Sequence, residues 1–193
     1  QALVELANKL ENKEPITKIK NIWIKKNKKI YKNPVRPLVE NLDELPFPDR
    51  EIVYEHELWN KEPIKHFIAT RGCPYNCTYC FNHSYNKIYA GKGKRVRYRS
   101  VSNVIQEIKQ VIKNFPTKVV YFQDDTFILD SNWIKEFSQK YKKEINIPFH
   151  CHIRVNLLTE DITKNLKEAG CYSVHRAIES ANDRLRNEVL KRN

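Results

Sequence analysis

Apolar and polar positions along the chain fall into three patterns. Leu3, Leu6 and Leu10 recur at helical spacing in "ALVELANKLENK", which predicts the end of an amphipathic helix. "ITKIKNIWIKKNKKIYKN" alternates apolar and polar residues on either side of Lys26–Lys29 and predicts a small hairpin, although its turn lacks an Asn-Gly pair. "NPVRPLVENLDELPFPDR" then carries Pro34, Pro37, Pro46 and Pro48. Proline fixes φ and removes a donor, so this stretch predicts an extended linker lying on a surface. From about residue 63 strand and helix patterns alternate regularly. "IKHFIAT", "KVVYFQDD", "IPFHCHIR" and "CYSVHRAIES" read as strands. Between them, "SVSNVIQEIKQVIKNF" sets Val101, Val104, Ile105, Ile108, Val111 and Ile112 on one helical face, with Ser100 or Ser102 as N-cap. "SNWIKEFSQKYKK" predicts a helix capped by Ser131, and "TEDITKNLKEAG" one capped by Thr159 and stopped at Gly170. "NDRLRNEVLKR" reads as the start of another helix.

Four strand–helix units in succession imply an α/β fold with a parallel sheet and right-handed crossovers. In such sheets functional groups collect at the carboxyl ends of the strands. Those ends carry Arg71–Cys80, Gln123–Asp125, His152–Arg154 and Glu179–Ser180, so the polar chemistry converges on one rim.

Composition narrows the class. The chain has 193 residues, of which 40% are hydrophobic, enough for a globular core. No apolar run is long enough for a membrane span and no signal peptide opens the chain, so a cytoplasmic protein is expected. The formal net charge is +12, but the lysines are scattered. The one dense basic stretch, "GKGKRVRYR" (residues 91–99), reads first as a solvated loop and second as an anion or RNA contact. With no methionine anywhere and a helical pattern still running at residue 193, the chain reads as a piece of a longer protein.

Three of the five cysteines, Cys73, Cys77 and Cys80, crowd into "TRGCPYNCTYCFN". An odd, clustered set argues against a disulfide framework and for metal. Three thiolates on one loop can hold three irons of a 4Fe–4S cluster and leave the fourth iron open. Gly72 and Pro74 allow the tight turns such a loop needs. The competing reading is a closed zinc site of Cys73, Cys77, Cys80 and His83, as in a zinc-binding nucleic-acid-binding module without catalysis. Cys151 and Cys171 lie in strands and read as small core residues. His150 and His152 share a strand face and read as packing groups, or as a proton relay.

The C-x3-C-x2-aromatic-C pattern after the first strand, with Tyr79 in the aromatic position, resembles the signature of the radical S-adenosylmethionine (SAM) enzymes. The resemblance extends to "NPVRPLVENLDELPFPDR", "VVYFQDDTF", "RVNLLTEDITKNLKEAGCYSV" and "IESANDRLRNEVLKR", which are similar to the cobalamin-binding subgroup. It implies a partial (β/α) barrel, about four units of a six-unit TIM-like half barrel. Residues 51–193 would form the incomplete radical SAM domain. Residues 1–50 would hold the exit of an upstream cobalamin-type domain, the hairpin and the linker. The subgroup's Asp-x-His-x-x-Gly cobalamin stretch is not in this sequence, so cobalamin belongs to the parent protein and not to this chain alone. Cys73, Cys77 and Cys80 would ligate the cluster, and SAM would occupy the open iron and be cleaved to a 5′-deoxyadenosyl radical. A cobalamin-dependent methyltransferase or related biosynthetic enzyme is the implied activity. A radical SAM methylthiotransferase or other tRNA-modifying enzyme is the alternative.

By the same resemblance, Asp124 and Asp125 would meet the SAM amino group and Arg154 its carboxylate, or Arg154 would pair with a neighbouring acid. Glu179 and Ser180 would lie at the ribose or methionyl part, and Tyr79 beside the cluster. Tyr75, Phe81 and His83 would shield the cluster. Ala177 and Ala181 replace two family glycines, which narrows the expected SAM pocket. Implied partners are a small-molecule substrate and an electron donor such as flavodoxin or ferredoxin, with nucleic acid less favoured.

Overall fold

The computed structural model of the protein describes residues 1–192, which form two compact units. One comprises residues 1–39 and 84–94, the other residues 40–83 and the described residues from 95 on.

In the first unit, α1 (Ala2–Glu11) is followed by a hairpin of β1 (Trp23–Lys26) and β2 (Lys29–Lys32), paired Trp23 with Lys32. The turn residues Asn27 and Lys28 have φ of 50° and 62°. Positive φ at both central positions is the hairpin turn whose twist matches the strands, with lysine standing where glycine would be easier. The Asn21 side chain accepts from the Arg36 amide at 2.6 Å, and Arg36 pairs with Glu5. The extended segment is thereby held against this unit.

The second unit opens on two short helices, α2 (Glu51–Tyr54) and α3 (Glu57–Lys61). β3 (Ile64–Phe67) and β4 (Thr70–Arg71) follow, then the start of α4 (Phe81–Ile88) directly after Cys80, its residues from Ser84 on belonging to the first unit, and β5 (Arg97–Tyr98), antiparallel to β4. The periodic part comes next: α5 (Val101–Asn114), β6 (Val119–Phe122), α6 (Ser131–Glu144), β7 (Phe149–His152), α7 (Glu160–Glu168) and β8 (Cys171–His175). β3, β6, β7 and β8 pair in that order, all parallel, which is the sheet that the repeating pattern predicts and is consistent with the partial β/α barrel that the resemblance implies. Beyond β8 the chain makes a short π-helical turn at Leu185–Val189 rather than a regular helix.

The sheet has two unlike faces. On one, Phe67, Val120, Phe122, Phe149 and Cys151 are fully buried against α5, α6 and α7. Phe122 and Phe137 meet edge to face at 5.4 Å, and Trp133 stacks on Phe137 at 5.2 Å. On the other face a row of polar rings, His66, Tyr121 and His150, crosses the sheet in register with Ser173. Ser100 caps α5 and Thr159 caps α7, each accepting a backbone amide in the first turn. The cap of α6 is Asp130 rather than Ser131: its carboxylate accepts from the Asn132 and Trp133 amides, and Ser131 is the first helical residue.

Two buried charges complete the frame. Lys65 points into the core side of β3 and donates to the carbonyls of Trp59, Asn60 and Glu62, closing the end of α3. Glu107 on α5 is 2% exposed and bridges Arg50 and Arg99, which ties the linker and the end of β5 to the helix.

Candidate functional site

The carboxyl ends of the four parallel strands carry the chain's unusual groups. The cysteine loop leaves β4 through Gly72, whose φ is +90°. A Cβ there would stand 2.0 Å from the carbonyl oxygen of Arg95, so only glycine lets the loop lie against the backbone that leads into β5. Cys73 and Cys77 are buried and Cys80 half-buried, and none of the three is in a disulfide. Cys80 ends the loop at the start of α4, and the Asn82 side-chain amide lies 3.7 Å from its sulfur. Helix amides and an amide side chain favour negative charge there.

Groups from the neighbouring strands reach the other two sulfurs. Arg154, at the end of β7 and 3% exposed, donates to Cys77 Sγ at 3.4 Å and stacks its guanidinium 3.5 Å from the Tyr75 ring centre. Burial pushes the Cys73 thiol up. The Tyr75 amide, the Thr126 hydroxyl and the Arg154 charge pull the other way, while the Asp125 carboxylate raises it further. A thiol held protonated this way ionises on binding a cation, which couples ligation to proton release.

The remaining rim residues divide into inward and outward groups. Asp124 is 1% exposed and turned inward. Its Oδ1 accepts from the Thr70 amide at 2.5 Å, the Thr70 hydroxyl at 2.6 Å and the Ala69 amide at 3.1 Å. Burial raises its pKa to about 6 against those hydrogen bonds. The sequence put Asp124 beside Asp125 as a cofactor contact. The structure commits its carboxylate to the chain that launches the cysteine loop, so it positions that loop. Asp125 is exposed and carries its charge toward Cys73 and His152. Tyr79, 51% exposed, shares a hydrogen bond with Glu179, and burial together with that carboxylate pushes the phenol up to about 12. Glu179 itself has φ +70°. Ser180 accepts from the Asn182 amide at 3.1 Å and so caps a turn. Thr78 donates to the carbonyls of Leu190 and Val189, so the segment after β8 closes over the loop. Beside it, Arg154, Ala177, Ile178, Arg186 and Arg192 line a cleft of about 420 Å³.

Within the basic stretch, Arg97 is buried in β5, and Arg99 donates to Glu107, to Asn103 Oδ1 at 2.6 Å and to the Ile68 carbonyl at 3.1 Å. Arg99 thereby builds the frame, held by the buried Glu107 carboxylate, while Lys92, Lys94 and Arg95 of the same stretch are exposed. The zinc reading needs its ligands close: sulfurs around one tetrahedral zinc sit about 3.7 Å apart at bonds of about 2.3 Å. Among the described residues, the one set of three ligating side chains within 4.8 Å of one another is His150, His152 and His175, and not the cysteines with His83. A glycine-shaped loop with cationic and amide donors at its sulfurs suits a cluster.

The Radical SAM superfamily model matches residues 67–193, which include the whole rim. The chain belongs to the radical SAM superfamily. A 4Fe–4S cluster and SAM are therefore the cofactors its fold implies, and the cysteine loop is where the radical SAM domain carries its signature. An uncharacterized methyltransferase of Pyrococcus horikoshii is 32% identical over 183 residues, covering 94% of this chain and 39% of that protein. The cytidylyl-2-hydroxyethylphosphonate methyltransferase of Streptomyces wedmorensis is 24% identical over 172 residues, covering 83% of this chain and 31% of that protein. The chain thus spans well under half the length of these relatives. Among solved structures, the cobalamin-dependent SAM radical enzyme OxsB, with aqua-cobalamin and SAM bound, superposes with a TM-score of 0.79 at 19% identity. It covers all of this chain and 28% of OxsB. The radical SAM methyltransferase TsrM of Kitasatospora setae gives 0.72 at 16% identity over 96% of this chain and 37% of TsrM. At these identities the likeness is one of fold. No helix among the described residues is long and apolar enough to cross a membrane.

Proposed function

We propose that this radical SAM domain binds a 4Fe–4S cluster through Cys73, Cys77 and Cys80 and cleaves SAM within a cobalamin-dependent methyltransferase. The observation that carries the reading is the convergence of Cys73 and Cys77 with Arg154 and Thr126 at the carboxyl edge of the parallel sheet, on the loop that Cys80 ends. When bound, a cluster with one open iron supplies the electron that breaks the sulfonium bond of SAM.

The residues of this chain do the rest. Asp124 fixes the turn from which the cysteine loop starts, and Gly72 sets its path. Arg154 puts a buried positive charge on the Cys77 sulfur, which favours an electron-rich site and helps exclude water from it. Asp125 and Glu179 remain as acids for the SAM ammonium and ribose, with Tyr79 orienting Glu179. Arg186 and Arg192, beside Arg154, offer cations for the SAM carboxylate. Ser180 acts through the turn it caps. Ala177 lines the cleft where a glycine was expected, so its methyl group trims the space available to SAM. Methyl transfer and cobalamin are supported by the names of the sequence relatives and the fold neighbours. The substrate is a small molecule, and an electron carrier of the flavodoxin or ferredoxin kind would supply the reducing electron.

The test is the electron paramagnetic resonance spectrum of the reduced, reconstituted full-length protein. Adding SAM is expected to change the cluster signal, and Glu179→Gln to weaken the SAM concentration dependence about tenfold. A cluster signal indifferent to SAM would overturn the reading.

A further inference from the structure

The open face of the sheet holds a group that the rim chemistry does not use. His150 and His152 on β7 and His175 at the end of β8 bring one ring nitrogen each within 4.8 Å of one another. No acid or lysine belongs to the set.

Local irregularity produces this meeting. The register of β7 against β8 shifts between Phe149 and His150, so that Phe149 faces Cys171 while His150 faces Ser173 and His152 faces His175. Without that bulge, Tyr172 and Val174 would face the two histidines and His175 would fall out of the row. A bulge re-aims side chains, and here it brings a third imidazole to the other two.

The second observation lies in the hydrogen bonds. His150 Nδ1 lies 2.6 Å from the Ser173 hydroxyl, and its Nε2 is buried with no hydrogen-bond partner among the described residues. His152 Nε2 lies 3.1 Å from the Tyr121 hydroxyl. With each hydroxyl accepting an N–H, the second nitrogen of each ring, Nε2 of His150 and Nδ1 of His152, keeps its lone pair. Metal-binding imidazoles are held this way: one nitrogen donates to a fixed oxygen, and the other is left as ligand. Tyr121, packed between His66 at 5.2 Å and His150 at 4.3 Å, holds its hydroxyl in place.

We propose that His150, His152 and His175 bind one divalent cation of the zinc, cobalt or nickel class. Nitrogens around such an ion stand about 3.3 Å apart, so small rotations of the rings close the site. Three protein ligands leave a position open toward the uncovered face of the sheet, where a substrate oxygen or a water completes the shell. The exposed Asp125 carboxylate, whose charge reaches His152, offsets part of the cation's charge.

Cobalt(II) is the probe, because thiolate and imidazole ligation give different absorption. In the full-length protein carrying Cys73→Ala, Cys77→Ala and Cys80→Ala, titration is expected to give one bound cobalt with visible d–d bands and no thiolate charge-transfer band. His175 is exposed, so His175→Ala leaves the fold intact and lowers the affinity at least tenfold. Ser173→Ala, which removes only the oriented hydroxyl, lowers it about tenfold. If the triple variant does not fold, bound cobalt is instead counted by metal analysis of the cluster-loaded protein after removal of free ion, with His175→Ala beside it, since iron then occupies the thiolates. Absence of cobalt binding, or equal binding by His175→Ala, would overturn the proposal. Neither result bears on SAM cleavage, which is read by the cluster signal.

Discussion

Asp124 collects two amides and a hydroxyl from Ala69 and Thr70, and burial raises its pKa to about 6 from the ordinary 3.8. Between those values the folded chain holds a proton that the unfolded chain has lost. This group's contribution to stability is therefore full below about pH 4 and falls as pH rises through about 6, by about 3 kcal/mol in all. Asp124→Asn removes that titration. Urea midpoints measured between about pH 4 and pH 7 should decline in wild type and be flatter in the variant by that amount; parallel declines would contradict the assignment. The position also marks where sequence reading stops. "QDD" presents two equal carboxylates at a strand end, and only the packing decides that Asp124 turns inward and Asp125 outward. Lys65 and Glu107 were illegible for the same reason: a charge enters a core only when distant partners meet it.

The elements that pattern predicts best are those whose burial is local. Val101, Val104, Ile105, Ile108 and Val111 all face the core, as their spacing requires. Helix α4 was missed because its apolar Phe81 and Ile88 are exposed, and the face it buries carries the polar Asn82 and Asn86. At α6 two adjacent residues competed for the cap. Asp130→Ala should cost about 1 kcal/mol of stability in chemical denaturation, and Ser131→Ala close to nothing. The reverse order would restore the sequence-based assignment. The three-cysteine loop was legible in full, but its need for glycine is clear only from the backbone of Arg95. Gly72→Ala should destabilise by at least about 2 kcal/mol and lower the iron content after reconstitution. A variant that loads iron as wild type does would contradict the close approach.

Across the molecule, four parallel strands leave β3 and β8 as outer strands. Val174 stands on the face that helices cover elsewhere in the sheet, and with Tyr172 and Ile178 it is exposed. An edge of this kind favours self-association. The chain studied alone should sediment as a concentration-dependent mixture, and Val174→Lys should shift it toward monomer; a wild-type chain monomeric throughout would refute this. The alternation of strands and helices made the sheet and its functional rim legible in sequence, whereas the β7–β8 bulge that gathers the histidines has no sequence signal of its own. The central claim is a cluster held by three cysteines, and metal analysis after anaerobic reconstitution addresses it most directly. The account predicts about four irons per chain in wild type, lost in Cys73→Ala, Cys77→Ala and Cys80→Ala alike. One zinc lost from those variants, with iron never taken up by wild type, would contradict it.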